Sequence, residues 1–198
     1  MCDEDTVIEG NSYLAQETKM GRRDFNKLAV GAAAILMLPP VANALEVVGH
    51  DVMVNTPDGD ADCYFVHPAK GKHPGVIIWP DILGLRPAFR LMGERLAKSG
   101  YSVLVVNPYY RSARSPVIEP GASFQDAETR NMVMPYYSAL SAETNVTDAK
   151  AYVSYLDAQN SVDVKRKIGT TGYCMGGPMV MRTAAAIPER IGAGGSFH

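Results

Sequence analysis

The chain alternates short apolar runs with amphipathic ones. Residues 47–55 and 61–67 read as strands separated by the turn Thr56-Pro57-Asp58-Gly59, and their close spacing predicts an antiparallel opening pair. Residues 75–79 (G-V-I-I-W) form a continuous apolar run, as expected of a strand buried on both faces. Over 87–99, Phe89, Met92, Leu96 and Ala97 recur at helical spacing, and Gly100 supplies the stop. Residues 101–107 (Y-S-V-L-V-V-N) predict a second buried strand. A helix follows over 147–159, with Ala151, Tyr152, Tyr155 and Leu156 on one face. Then come a strand at 167–171, a helix at 177–187 and a last apolar strand at 191–197. Repeated strand–helix–strand order predicts an α/β fold, a mostly parallel sheet with helices on both faces.

One stretch breaks this rhythm. Residues 111–145 hold Pro116, Pro120, Gly121 and Pro135 together with the apolar cluster Met132, Val133, Met134, Tyr136 and Tyr137. A loop this long in a compact domain is either a covering or binding segment or a surface excursion with a small helix of its own. It leaves a strand at its C-terminal end, where such sheets bind ligands, so it is expected over the pocket.

Residues 1–44 read as an address. Arg22 and Arg23 lead into an apolar run over 28–38, followed by Pro39-Pro40 and the triplet Ala42-Asn43-Ala44. That is an n-region, an h-region and an A-x-A cleavage site in order. The R-R-x-F-x-K pattern resembles a bacterial twin-arginine signal, which implies the twin-arginine export machinery as partner and a periplasmic or secreted location, with no stable membrane anchor after cleavage. Residues 1–19 are strongly acidic, unusual for a signal, so Met20 is the expected start of translation. Residues 45–198 form the domain and carry basic and acidic side chains in equal number.

The chemistry lies where the strand at 167–171 meets the next helix. Gly172-Tyr173-Cys174-Met175-Gly176 has the G-x-C-x-G spacing of a nucleophile elbow with cysteine in place of serine. The turn is so sharp that Gly172 and Gly176 must lack Cβ. Cys174 is then forced into a strained backbone with its sulfur above the sheet. The helix N-terminus that follows supplies free N–H groups and a positive dipole end, which favour an anionic sulfur. At the end of an earlier strand, Trp79-Pro80-Asp81-Ile82-Leu83-Gly84 offers the second half of an oxyanion hole. The expected donors are the backbone amides of Ile82 and Met175.

Together, G-Y-C-M-G-G, W-P-D-I-L-G-L and N-P-Y-Y-R resemble the dienelactone hydrolase family of the α/β-hydrolase superfamily, from about residue 47 to residue 198. The resemblance implies an α/β-hydrolase fold and hydrolysis of an ester or lactone, one that can bear a carboxylate, through an acyl-enzyme on a Cys-His-Asp triad. It implies no metal and no organic cofactor. It also implies that Asp81 contacts the resting thiol of Cys174, and that Arg111 or Arg114 holds a substrate carboxylate. Tyr173 and His198 are expected to line the pocket. The family's triad Asp and His follow two further strands, so the chain reads as an N-terminal part of such a hydrolase, lacking the last strands. Among the residues after Cys174, Glu189 falls at the wrong end of the sheet and His198 at the right one. His50, His67 and His73 lie in or before early strands and are expected to be packing or surface residues. Cys63 is expected to be a packed strand residue.

Composition narrows the alternatives. Of 198 residues, 46% are hydrophobic and 20% charged, an ordinary globular balance. A net charge of −2 argues against a nucleic-acid partner, which would need a basic face. Apolar runs stay short of the roughly 18 residues that a spanning helix needs, and 3 cysteines without a C-x-x-C pair suggest neither a disulfide scaffold nor zinc. A non-catalytic ligand-binding or redox-sensing thiol protein of the same fold, or an inactive fragment, remains the alternative to a hydrolase.

Overall fold

The computed structural model describes residues 39–198. Most of the expected address segment therefore lies outside the described residues. Strands β1 (Val47–Thr56) and β2 (Gly59–Pro68) form an antiparallel hairpin in register Thr56↔Gly59 to Val47↔Pro68. Strand β3 (Gly75–Trp79), helix α1 (Pro87–Lys98) and strand β4 (Ser102–Val106) follow. Helices α2 (Ala127–Ser138) and α3 (Ala142–Asp157) come before strand β5 (Ile168–Tyr173). Helix α4 (Gly176–Ala186) and strand β6 (Ile191–Phe197) complete the order. The sheet has 6 strands in the order β1-β2-β4-β3-β5-β6, parallel from β4 to β6.

The central strands explain the layers. Every residue of β3 and β4 is buried, and their side chains alternate between faces. Val76, Ile78, Val103 and Val105 pack with Phe89 and Ala97 of α1. Ile77, Trp79, Leu104 and Val106 pack on the other face with Tyr152 and Leu156 of α3 and Met179 and Val180 of α4. Each such side chain contributes about 1.5–3 kcal/mol by leaving water. Of the apolar strand β6 only Ile191 is buried, and Phe197 is 54% exposed.

Two helices depart from the expected pattern. Helix α3 begins at Ala142, not Thr147, because Ser141 accepts from the Thr144 amide while Thr144 accepts from the Ser141 amide. That reciprocal cap satisfies two donors and fixes the start. The long segment contains α2, which runs on through Pro135. Its Val133 is fully buried, and Phe124, Tyr136 and Leu140 pack on the same core as Ile82, Leu83 and Met175.

Candidate active site

Strand register brings the expected pieces together. Trp79 pairs with Gly172, and Tyr173 with Phe197. The loops after β4, β3 and β5 and the end of β6 therefore leave the same edge of the sheet side by side.

The turn after β5 has the shape expected of an elbow. Cys174 has φ 50°, in the left-handed region that disfavours a side chain. A Cβ on Gly172 would overlap the backbone of Gly176, and one on Gly176 would overlap the Trp79 carbonyl and lie 2.8 Å from that of Pro80. Only glycine fits where strand, turn and helix approach this closely. Cys174 is exposed, whereas the other cysteine among the described residues, Cys63, is buried with its thiol pKa pushed up by that burial.

The loop after β3 is a hydrogen-bonded turn. The Gly84 amide donates to the Asp81 carbonyl at 2.9 Å, and the Leu83 amide donates to Asp81 Oδ1 at 3.0 Å. Gly177 N–H is likewise taken, by the Cys174 carbonyl at 3.0 Å. The amides of Ile82 and Met175, in contrast, donate to no acceptor among the described residues. Those are the groups expected to form the oxyanion hole.

Asp81 gives both carboxylate oxygens to Arg86, at 2.6 and 2.8 Å, and not to the thiol. The Arg86 side chain is 9% exposed and lies over the Phe89 ring, 5.0 Å from its centroid. Arg86 stands at the start of α1 and joins the loop to that helix. The expected contact between Asp81 and Cys174 is thus replaced by a bidentate ion pair. No pattern in the sequence marks Arg86 as the partner of Asp81, since only the turn between them brings the two side chains together.

Both arginines expected at a substrate carboxylate are instead engaged by the protein's own acids. Arg111 donates to Asp58 at 2.6 and 3.0 Å and to Asp148 at 2.7 and 2.9 Å, and its guanidinium stacks on Tyr110. Tyr110 Oη also donates to Asp148, at 2.8 Å. This knot, buried at Asp148 and open to solvent at Asp58, pins the segment after β4 to the β1–β2 turn and to α3. Arg114 is 60% exposed, donates to the Asp60 backbone carbonyl at 2.6 Å and lies 3.4 Å from the Asp62 carboxylate. Asp62 closes the same turn, accepting from Asn107 and from both the amide and hydroxyl of Ser115.

Tyr173 stacks on Phe197, centroids 5.2 Å apart, and meets Phe89 edge-on at 5.5 Å. His198 directly follows Phe197, whose carbonyl accepts the Cys174 amide at 2.8 Å. Of the other histidines, His67 and His73 lie at the opposite end of the sheet and His50 lies level with the middle of β4. His67 Nδ1 is 2.7 Å from the Pro68 carbonyl, His73 contacts the carbonyls of Gly100 and Lys70, and His50 packs on Phe65. Among the described residues no group of three or more His, Cys, Asp or Glu side chains could hold a metal.

Comparison with known proteins follows the same lines. The chain is 29% identical over 118 residues to the carboxymethylenebutenolidase of Pseudomonas putida, an alignment spanning 60% of this chain and 48% of that protein. The chain thus spans about half the length of the curated relatives it matches. The fold superposes on a dienelactone hydrolase-like promiscuous phosphotriesterase from metagenomic libraries with a TM-score of 0.61 at 22% identity, covering 77% of this chain and 59% of that one. A cold-adapted esterase from an Arctic intertidal metagenomic library gives a TM-score of 0.57 at 14% identity, covering 80% and 65%. The fold is that of the α/β-hydrolases. Residues 61–198, from the buried β2 strand through the elbow, match the model of the dienelactone hydrolase family, and the chain belongs to that family.

Proposed function

We propose that the protein hydrolyses carboxylic esters or lactones through an acyl-enzyme on Cys174. The observation that carries this reading is the pairing of an exposed cysteine at φ 50° with two unengaged amides, those of Ile82 and Met175, on adjacent loops. In the proposed step the Cys174 thiol loses its proton to water, the sulfur attacks the acyl carbon and an S–C bond forms. The carbonyl π pair moves onto oxygen, where the two N–H groups stabilise it. Collapse breaks the C–O bond and expels the alkoxide, which takes a proton back from water and leaves as the alcohol. A second water then adds to the thioester carbonyl, the C–S bond breaks, and the carboxylic acid leaves as the sulfur regains a proton. Tyr173 and His198 line the acyl site. The relatives' name, carboxymethylenebutenolidase, supports a lactone or a related ester as substrate.

The test is turnover of an aryl ester and a butenolide lactone by the protein and by Cys174→Ala. Loss of turnover in the variant is expected. Undiminished turnover would reject the assignment.

Export through the twin-arginine route is proposed on Arg22, Arg23 and the A-x-A triplet at 42–44. N-terminal sequencing of the processed protein is expected to begin after Ala44.

A further inference from the structure

Tyr109 stands between the two halves of the proposed hole. It follows β4 and is 2% exposed. Its hydroxyl donates to the Ile82 carbonyl at 2.9 Å and lies 3.1 Å from Met175 Sδ. A carbonyl is a far better acceptor than a thioether, so the single proton goes to Ile82. The two residues that carry the unengaged amides are therefore the two that the Tyr109 hydroxyl touches.

The tyrosine is itself held rigidly. Its amide donates to Asn107 Oδ1 at 2.9 Å, and its carbonyl accepts from Ser112 at 2.7 Å and from Ala113 at 2.9 Å. Asn107 in turn donates to Asp62 on β2 at 2.8 Å. The ring stacks near Tyr136 of α2, centroids 5.7 Å apart. The phenol pKa is raised by burial and by the neighbouring Asp81, Tyr137 and Cys174, so the hydroxyl stays a donor.

The 82–83 peptide is thus clamped at both ends. Tyr109 takes its carbonyl, and Asp81 Oδ1 takes its N–H. The turn is stiff within itself, and the hydroxyl fixes where the stiff turn sits relative to the elbow.

We infer that Tyr109 is the positioning residue of the oxyanion hole, setting the spacing between the Ile82 and Met175 amides through its hydroxyl. The inference rests on the acyl chemistry proposed at Cys174. It concerns geometry at the developing oxyanion, where a displacement well under an ångström is costly.

The experiment compares two reactions at the same sulfur in the full chain. Acylation by p-nitrophenyl acetate builds charge on a carbonyl oxygen and needs the hole. Alkylation by iodoacetamide does not. Both are read as modification of the Cys174 peptide by mass spectrometry. For Tyr109→Phe, acylation is expected to slow about tenfold while alkylation stays within about twofold of wild type. Tyr136→Phe, which leaves the Tyr109 hydroxyl in place, is expected to change neither rate. Unchanged acylation in Tyr109→Phe would overturn the inference. An equal fall in both rates would also overturn it, since the hydroxyl would then hold the elbow or the fold and not the hole. Acylation that lands elsewhere than Cys174 in the wild type would instead refute the nucleophile assignment, and the inference with it.

Discussion

The amide of Cys174 donates to the carbonyl of Phe197 across 2.8 Å, tying the backbone of the proposed nucleophile to the end of β6. The bond helps to hold Cys174 at φ 50°, a conformation that costs a residue with a Cβ about 1 kcal/mol or more. Cys174→Gly should therefore be more stable than Cys174→Ala by about 1 kcal/mol, although glycine ordinarily destabilises. Urea denaturation of the two variants checks this. An alanine variant as stable as the glycine variant would mean that the elbow stores no strain.

The Arg111 knot is expected to be structural. Asp148 is 3% exposed, and removing Arg111 leaves it without its cation. Arg111 is itself 22% exposed, so Arg111→Gln should cost less than the roughly 3–5 kcal/mol of a fully buried pair, on the order of 2 kcal/mol. Arg114→Gln, at an exposed position, should cost less than about 0.5 kcal/mol. Denaturant midpoints measure both. An Arg111→Gln protein with wild-type stability, whose Cys174 reacts more slowly with iodoacetate but not with iodoacetamide, would return Arg111 to the substrate site.

Much of this was legible in sequence because it is local. The period-2 and all-apolar runs marked all six strands to within about two residues, and the two glycines around Cys174 marked the elbow. Helix α3 was placed late because Asn145 and Thr147 interrupt its apolar stripe, although Ser141 and Thr144 already spelled the cap. Helix α2 is foreseen only as a small helix somewhere within residues 111–145, because Pro135 obscures its bounds. The ion pairs were illegible for another reason. Arg111 meets Asp148 37 positions away and Asp58 53 positions away, and no local pattern encodes such a partner. A loop arginine after a strand therefore looks free for a ligand until the tertiary fold supplies its acids. Nothing in N-P-Y-Y-R singles out Tyr109 for the same reason, since its hydroxyl meets residues of two other loops.

Acid should loosen the segment after β4 through Asp62. Burial alone would raise its pKa, but hydrogen bonds from the Ser115 hydroxyl and amide and from Asn107 outweigh this, and the folded value lies below the ordinary 3.8. A depressed carboxylate contributes stability that is complete above its unfolded pKa and is lost as pH falls through the folded one. Stability should therefore drop as pH falls below 3.8 towards that lower value. Asp62→Asn should be less stable at neutral pH and show a shallower acid limb. Urea midpoints from neutral pH down to about pH 3 test this. An unchanged acid limb would assign the acid sensitivity to other carboxylates.

The central claim is that Cys174 carries the acyl group. The most direct measurement is intact-protein and peptide mass spectrometry after brief exposure to an activated aryl ester, quenched in acid. One acyl group per chain is expected, on the peptide containing Cys174, and absent from Cys174→Ala. Acyl label that persists in Cys174→Ala, or a chain that releases the aryl alcohol while Cys174 remains unmodified at every time sampled, would contradict the account.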